Sequence, residues 1–92
     1  MDSIMQNEKR CYICETAQGL HKHHVYPGVA NRRLSEEYGC WVWLCGLHHN
    51  LSNAGVHYNA ELDRRIKSEC QAAFEQTYTR EKFREVFGKS YL

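Results

Sequence analysis

Ninety-two residues suit one domain, and a chain this short buries too little surface for its core alone to give ample stability. With 42% apolar and 25% charged residues, the charges mixed rather than blocked, neither wholesale disorder nor a membrane span is expected. A formal net charge of +1 gives no compositional sign of a nucleic-acid partner, since the basic clusters Lys9-Arg10, Arg32-Arg33 and Arg64-Arg65-Ile66-Lys67 all have acids nearby.

Residues 1–8 are expected to form a flexible N-terminus, lacking the basic start and apolar stretch of an export signal. Cys11-Tyr12-Ile13-Cys14, followed by Gln18-Gly19, reads as a knuckle turn. Leu20 to Tyr26 reads as a short strand ended by the turn pair Pro27-Gly28. Asn31-Arg32-Arg33 then leads into Ser35-Glu36-Glu37-Tyr38, a single helical turn closed by Gly39. Cys40-Trp41-Val42-Trp43-Leu44-Cys45, rich in aromatic and β-branched residues, is the second predicted strand. Gly46-Leu47-His48-His49 starts a turn or a helix end. Asn59 is a plausible N-cap, with Glu61 and Asp63 in a first turn where the helix dipole favours acids. Leu62, Ile66, Cys70, Ala73, Phe74 and Thr77 then form one apolar stripe. Thr79 caps a shorter helix over Arg80–Phe87, stopped by Gly88. The sum is one α+β domain over 1–92, a hairpin followed by a helical part at 59–92. Cys40 and Cys70 are expected as buried thiols, and Trp41 and Trp43 inside the hairpin core.

Five cysteines is an odd number for a secreted disulfide framework, so a reducing, cytoplasmic setting with cysteines serving a metal is expected. Cys11-x-x-Cys14 is matched by Cys45-x-x-His48. Two close pairs in tight turns supply the four corners of a tetrahedral structural zinc site, and closing that long loop adds stability a small core lacks. Two disulfides would leave His48 without a role. A redox Cys-x-x-Cys would need a βαβ surround that is not predicted.

All six histidines fall between residues 8 and 58. A His-His pair ends the first strand and another follows the second, which gathers imidazoles near one point if the strands form a hairpin. His23-His24-Val25, Asn31 and Leu44-Cys45-Gly46-Leu47-His48-His49, interleaved with both zinc pairs, resemble the HNH endonucleases of the ββα-metal superfamily. The stretch His49 to Asn59 and the tail Phe83 to Leu92 resemble a group of small, zinc-knotted HNH proteins frequent in phage-like genomes. The resemblance covers residues 9–92. One departure stands out: many zinc-knotted members have Cys-x-x-Cys-His where this chain has Cys45-x-x-His48-His49. Here His48 is read as replacing the fourth cysteine, with His49 in the nuclease role. The alternative makes His48 the catalytic ligand and leaves the knot with three ligands.

The resemblance implies a ββα-metal core that hydrolyses nucleic-acid phosphodiesters, most naturally DNA, to a 5′-phosphate and a 3′-hydroxyl. His24 would be the general base, an imidazole with an ordinary pKa of about 6.5 being suited to take a water proton. Asn31 would brace the loop that aims His24. His23 and His49 would hold one divalent cation (magnesium, manganese or similar), with a third ligand from His57 or, alternatively, Asn53. His21, Arg32 and Arg33 are candidates for outer-shell or substrate contacts. The competing reading is a zinc-stabilised nucleic-acid-binding module without activity, and a third is a zinc knuckle that binds protein through Trp41-Val42-Trp43. No membrane partner is expected, and a monomer or a homodimer fits equally.

Overall fold

In the computed structural model, which describes residues 1–92, Leu20–His24 (β1) and Trp41–Cys45 (β2) pair antiparallel. The register sets Leu20 opposite Cys45 and His24 opposite Trp41. β1 is shorter than expected. After one last ladder bond, from the Val25 N–H to the Cys40 carbonyl at 3.1 Å, Pro27 and Gly28 turn the chain away, with Gly28 at a φ of 108° that favours glycine.

The crossover between the strands corrects the expectation of a loop with one helical turn. Val29–Tyr38 (α1) is helical over ten residues, so Asn31, Arg32 and Arg33 lie inside it. Fully buried Ser35, flanked by the half-buried Leu34 and Tyr38, anchors this helix; its carbonyl accepts from the N–H groups of Gly39 and Cys40. The polar start of α1 hides its helical character, because only residues 34, 35 and 38 face the core.

Gly46–His49 (α2) is one turn, Ala60–Phe74 (α3) is the longest helix and Arg80–Phe87 (α4) packs beside it. The expected caps are present: the Asn59 side chain accepts from the Leu62 N–H and Thr79 from the Lys82 N–H, each at 3.0 Å. Ile66, Cys70 and Phe74 are buried on α3 as anticipated, but α3 ends before Thr77, which is exposed. Val42 and Leu44 face this helical layer from β2. Tyr26 completes it, its ring 5.2 Å from Phe83 and 4.5 Å from Phe87, and its hydroxyl donates to the Lys67 carbonyl at 2.6 Å. Such aromatic pairs add about 0.5–1.5 kcal/mol each beyond the area they bury. Buried Gln71 is satisfied by Glu75, Ser90 and the Tyr91 N–H. Cys40 and Cys70 are both fully buried free thiols.

Two expectations about the other side of the sheet need correction. Trp41 and Trp43 face away from the core formed by Val42 and Leu44, and their rings meet edge to face at 5.4 Å. Trp41 is nonetheless buried, because residues 1–8 are not loose but lie along the outer edge of β2. Ser3 Oγ donates to the Trp41 carbonyl at 2.6 Å, the Ile4 N–H to the Gly39 carbonyl at 3.0 Å, and Gln6 Oε1 accepts from the Trp43 N–H at 2.8 Å. The Tyr12 N–H adds a bond to the Trp43 carbonyl at 2.8 Å. An open strand edge is a template for aggregation, and here side chains and backbone of the N-terminal segment cover it. Gly39 is required at the crossing: its φ is 71°, and a Cβ there would collide with the Asp2 carbonyl. No helix of the chain is long and apolar enough to cross a membrane.

Candidate metal centres

The first centre forms where the knuckle turn meets the end of β2. The Cys11 N–H donates to the Thr16 carbonyl and the Glu15 N–H to the Cys11 carbonyl, each at 2.8 Å, folding Cys11 and Cys14 onto one side. Cys45 ends β2 and His48 lies one turn on, in α2. Their four ligand atoms lie within 4.8 Å of one another. Cys14 Sγ and Cys45 Sγ are 3.7 Å apart, and His48 Nδ1 is 3.2 Å from Cys45 Sγ and 3.8 Å from Cys11 Sγ. A tetrahedron with zinc–sulfur bonds of about 2.3 Å has sulfur–sulfur edges of about 3.8 Å, whereas a disulfide needs about 2.05 Å. The spacing therefore suits a closed structural zinc site and not a disulfide. Burial pushes the Cys11 thiol up, but backbone N–H groups of Cys14, Cys45 and Ile13 more than offset it and bring the thiol down to about 6, the thiolate a metal requires.

The second centre lies across the sheet. His21 and His23 alternate with Lys22 and His24 along β1, so the first two share a face. There His23 meets His49 and His57, whose ligand atoms also fall within 4.8 Å of one another. The ring centroids are 5.3 Å apart for His23 and His49, 5.6 Å for His23 and His57, and 4.7 Å for His49 and His57. His49 Nε2 is 3.1 Å from His57 Nε2, within the range of about 3.0 Å (octahedral) to about 3.4 Å (tetrahedral) expected between imidazole nitrogens bound at about 2.1 Å to one ion. His23 Nε2 is buried with no hydrogen-bond partner, a polar atom that needs an explanation. Burial, aided by His49 and His57, pushes His23 down to about 3, and His49 is also lowered, first by burial and then by His57 and His21. Neutral imidazoles with converging lone pairs are what a cation needs.

The structure separates the two adjacent histidines: His48 lies in the sulfur cluster and His49 in the imidazole cluster. Residues 50–59 form turns rather than a helix. Within them the Val56 N–H donates to the His48 carbonyl at 2.8 Å and the His57 N–H to the His49 carbonyl at 3.2 Å, which brings the His57 ring in. Asn53 is exposed and does not line the cleft.

His24 lies outside the imidazole cluster but borders the same cleft, a cavity of about 570 Å³ also lined by His23, His49, His57, Arg32 and Lys67. Asn31 Nδ2 donates to the Pro27 carbonyl at 2.9 Å, clamping the turn after β1, although from a helix rather than from a loop. Arg32 lines the cleft and Arg33 does not; both are exposed and form no ion pair. His21 Nδ1 sits 3.0 Å from His49 Nδ1. Sequence reasoning missed one member of the site. Glu36 Oε1 lies 2.9 Å from His24 Nε2 and 3.1 Å from Lys22 Nζ, and these contacts, His24 first, hold its carboxyl below the usual carboxylate range. Lys67 is engaged by Asp63 at 2.7 Å, so Arg32 is the unpaired cation of the cleft.

No protein-family model, curated protein or solved structure matches the chain. What the fold establishes is a small α+β domain with a Cys3His cluster suited to zinc and a second cluster of three imidazoles.

Proposed function

We propose that this chain is a metal-dependent endonuclease of the HNH type that hydrolyses DNA phosphodiester bonds. In this reading Cys11, Cys14, Cys45 and His48 hold a structural zinc, and His23, His49 and His57 hold one catalytic divalent cation. The observation that carries it is one cleft in which three imidazoles converge while a fourth, His24, stands beside them tied to a carboxylate. A closed four-ligand site has no position for substrate, whereas three protein ligands leave coordination positions free. Bound there, a divalent cation supplies Lewis-acid relief of the charge that develops on the phosphate and the leaving oxygen.

The chain's own residues supply the rest. His24 takes a proton from the attacking water, whose oxygen bonds to phosphorus as the bond to the 3′-oxygen breaks; solvent returns a proton to that oxygen. Asn31 holds the turn that follows β1, and Arg32, which lines the cleft, would meet a flanking phosphate. A single cleft per chain cuts one strand per encounter, so double-strand cleavage needs a second copy or a second event. Free thiols in the zinc cluster fit a reducing cytoplasm.

All three donors to the proposed catalytic ion are imidazoles. Carboxylate-rich sites suit magnesium, and imidazole sites favour zinc, nickel and similar ions. Incubation of zinc-loaded protein with supercoiled plasmid should therefore give faster nicking with cobalt, nickel or zinc than with magnesium. No conversion of plasmid with any divalent ion sinks the nuclease reading, and a retained gel shift in that case selects the binding module.

His49 faces His57 through Nε2 and His21 through Nδ1. A histidine that ligates through Nε2 carries its proton on Nδ1 and needs an acceptor there. His21 provides it. His21→Ala should weaken nickel binding by about 10–100-fold, as loss of such outer partners does, with the zinc content unchanged. Calorimetric titration of zinc-loaded protein with nickel checks this; equal affinities in parent and variant mean the contact has no part in holding the ion.

A further inference from the structure

We propose that Glu36 is a positioning residue that fixes which nitrogen of His24 is free to act as base. The proposal rests on the hydrolase reading above, in which His24 takes the water proton. A neutral imidazole has one N–H and one lone pair, and the two exchange places between tautomers. A carboxylate can only accept. Glu36 Oε1, 2.9 Å from His24 Nε2, therefore holds the proton on Nε2 and leaves the Nδ1 lone pair for water in the cleft that His24 lines. This is the three-part logic of nucleophile, base and orienting group, assembled from a strand and the helix that follows it.

The placement of Glu36 is built, not incidental. It follows Ser35, which is fully buried and whose carbonyl takes bonds from Gly39 and Cys40, so the backbone carrying the carboxylate is anchored at the root of β2. Lys22 holds the carboxylate from the other side, at 3.1 and 3.3 Å to its two oxygens, and is itself seated 4.1 Å above the Trp41 ring. Between these contacts one oxygen of the carboxylate is turned to His24. As a surface ion pair with Lys22, Glu36 is 42% exposed and contributes little to stability. Its distinctive effect falls on the imidazole.

Two readouts test this. Long-range ¹H–¹⁵N correlation of histidine-labelled, zinc-loaded protein, at a pH where imidazole is neutral, reports the tautomer of His24, assigned by loss of its signal in His24→Ala. The parent should carry its proton on Nε2; Glu36→Gln, which keeps an acceptor oxygen, should preserve that state, and Glu36→Ala should mix the two tautomers. Plasmid cleavage should follow the same order, with Glu36→Ala slower by roughly 10–100-fold at unchanged nickel affinity and melting temperature, an outer-partner effect of the usual size. A Glu36→Ala protein with the parental tautomer, or one that cleaves at the parental rate, overturns the proposal. A parent that fails to cleave with every divalent ion tried overturns the nuclease reading instead, and because the tautomer is read without substrate the two failures are distinguishable.

Discussion

His24→Ala should slow plasmid cleavage by about 10²–10⁴-fold, the usual contribution of a positioned general base, while zinc content, nickel affinity and melting temperature stay at parental values. The separation follows from where the residue sits. His24 is the last residue of β1 and half-buried, and its side chain belongs to neither metal cluster. Truncating it removes one hydrogen bond, to the partly exposed Glu36, and no packing within the main core. His23 shows the opposite profile. It is buried, its Nε2 has no partner, and its ring abuts His49 and His57, so His23→Ala should remove a proposed ligand and leave a void. The two neighbours thus give distinguishable losses: cleavage without metal loss for His24, and both together for His23. A His24→Ala protein that cleaves like the parent means that His24 is not the base.

The spacing of Cys11-x-x-Cys14 and Cys45-x-x-His48 made the zinc cluster legible, because tight turns are local and their ligands are written next to each other. The two strands and the two capped helices were legible for the same reason: Asn59 and Thr79 are local signals read by the N–H three residues on. What could not be read was set by long-range placement. Glu36 lies 12 residues from His24 and looks like one acid of a charged helix; only the crossover of α1 over β1 brings the two within 2.9 Å. Ser3 and Gln6 carry no apolar periodicity, yet their side chains stand in for a strand along β2. That His57 rather than Asn53 joins the imidazoles follows from the pair of backbone bonds from residues 56 and 57 to the carbonyls of residues 48 and 49, which no local pattern announces.

Those two bonds also join the two centres. His48 and His49 are consecutive, one in each cluster, on a helix of a single turn whose N-cap, Cys45, is itself in the zinc cluster. One turn of helix is not stable by itself. α2 packs on the end of the hairpin, with the Cys3His cluster on one side and the 56–57 segment on the other; if that cluster holds zinc, as proposed, the orientation of His49, and through it His57, depends on the integrity of the Cys3His site.

Cys14→Ser should therefore produce the largest loss of all. Cys14 is exposed, so exchanging sulfur for oxygen costs no packing, and any effect reports the metal alone. Zinc binding in small domains is worth an apparent ~10–16 kcal/mol, against a total folding stability of about 5–15 kcal/mol. Forfeiting even about 3 kcal/mol of it lowers the melting temperature by roughly 12–24 °C for a domain of this length. The variant should lose stoichiometric zinc, melt far below the parent or lack a cooperative transition, and lose nickel binding at His23, His49 and His57, although none of those residues is altered. Cys70→Ala is the matching control, since Cys70 is buried away from both clusters and its loss should leave zinc in place. Zinc content by elemental analysis and thermal melting with and without a chelator decide the matter. A Cys14→Ser protein that keeps one zinc and melts with the parent shows that this cluster is not what holds the fold together.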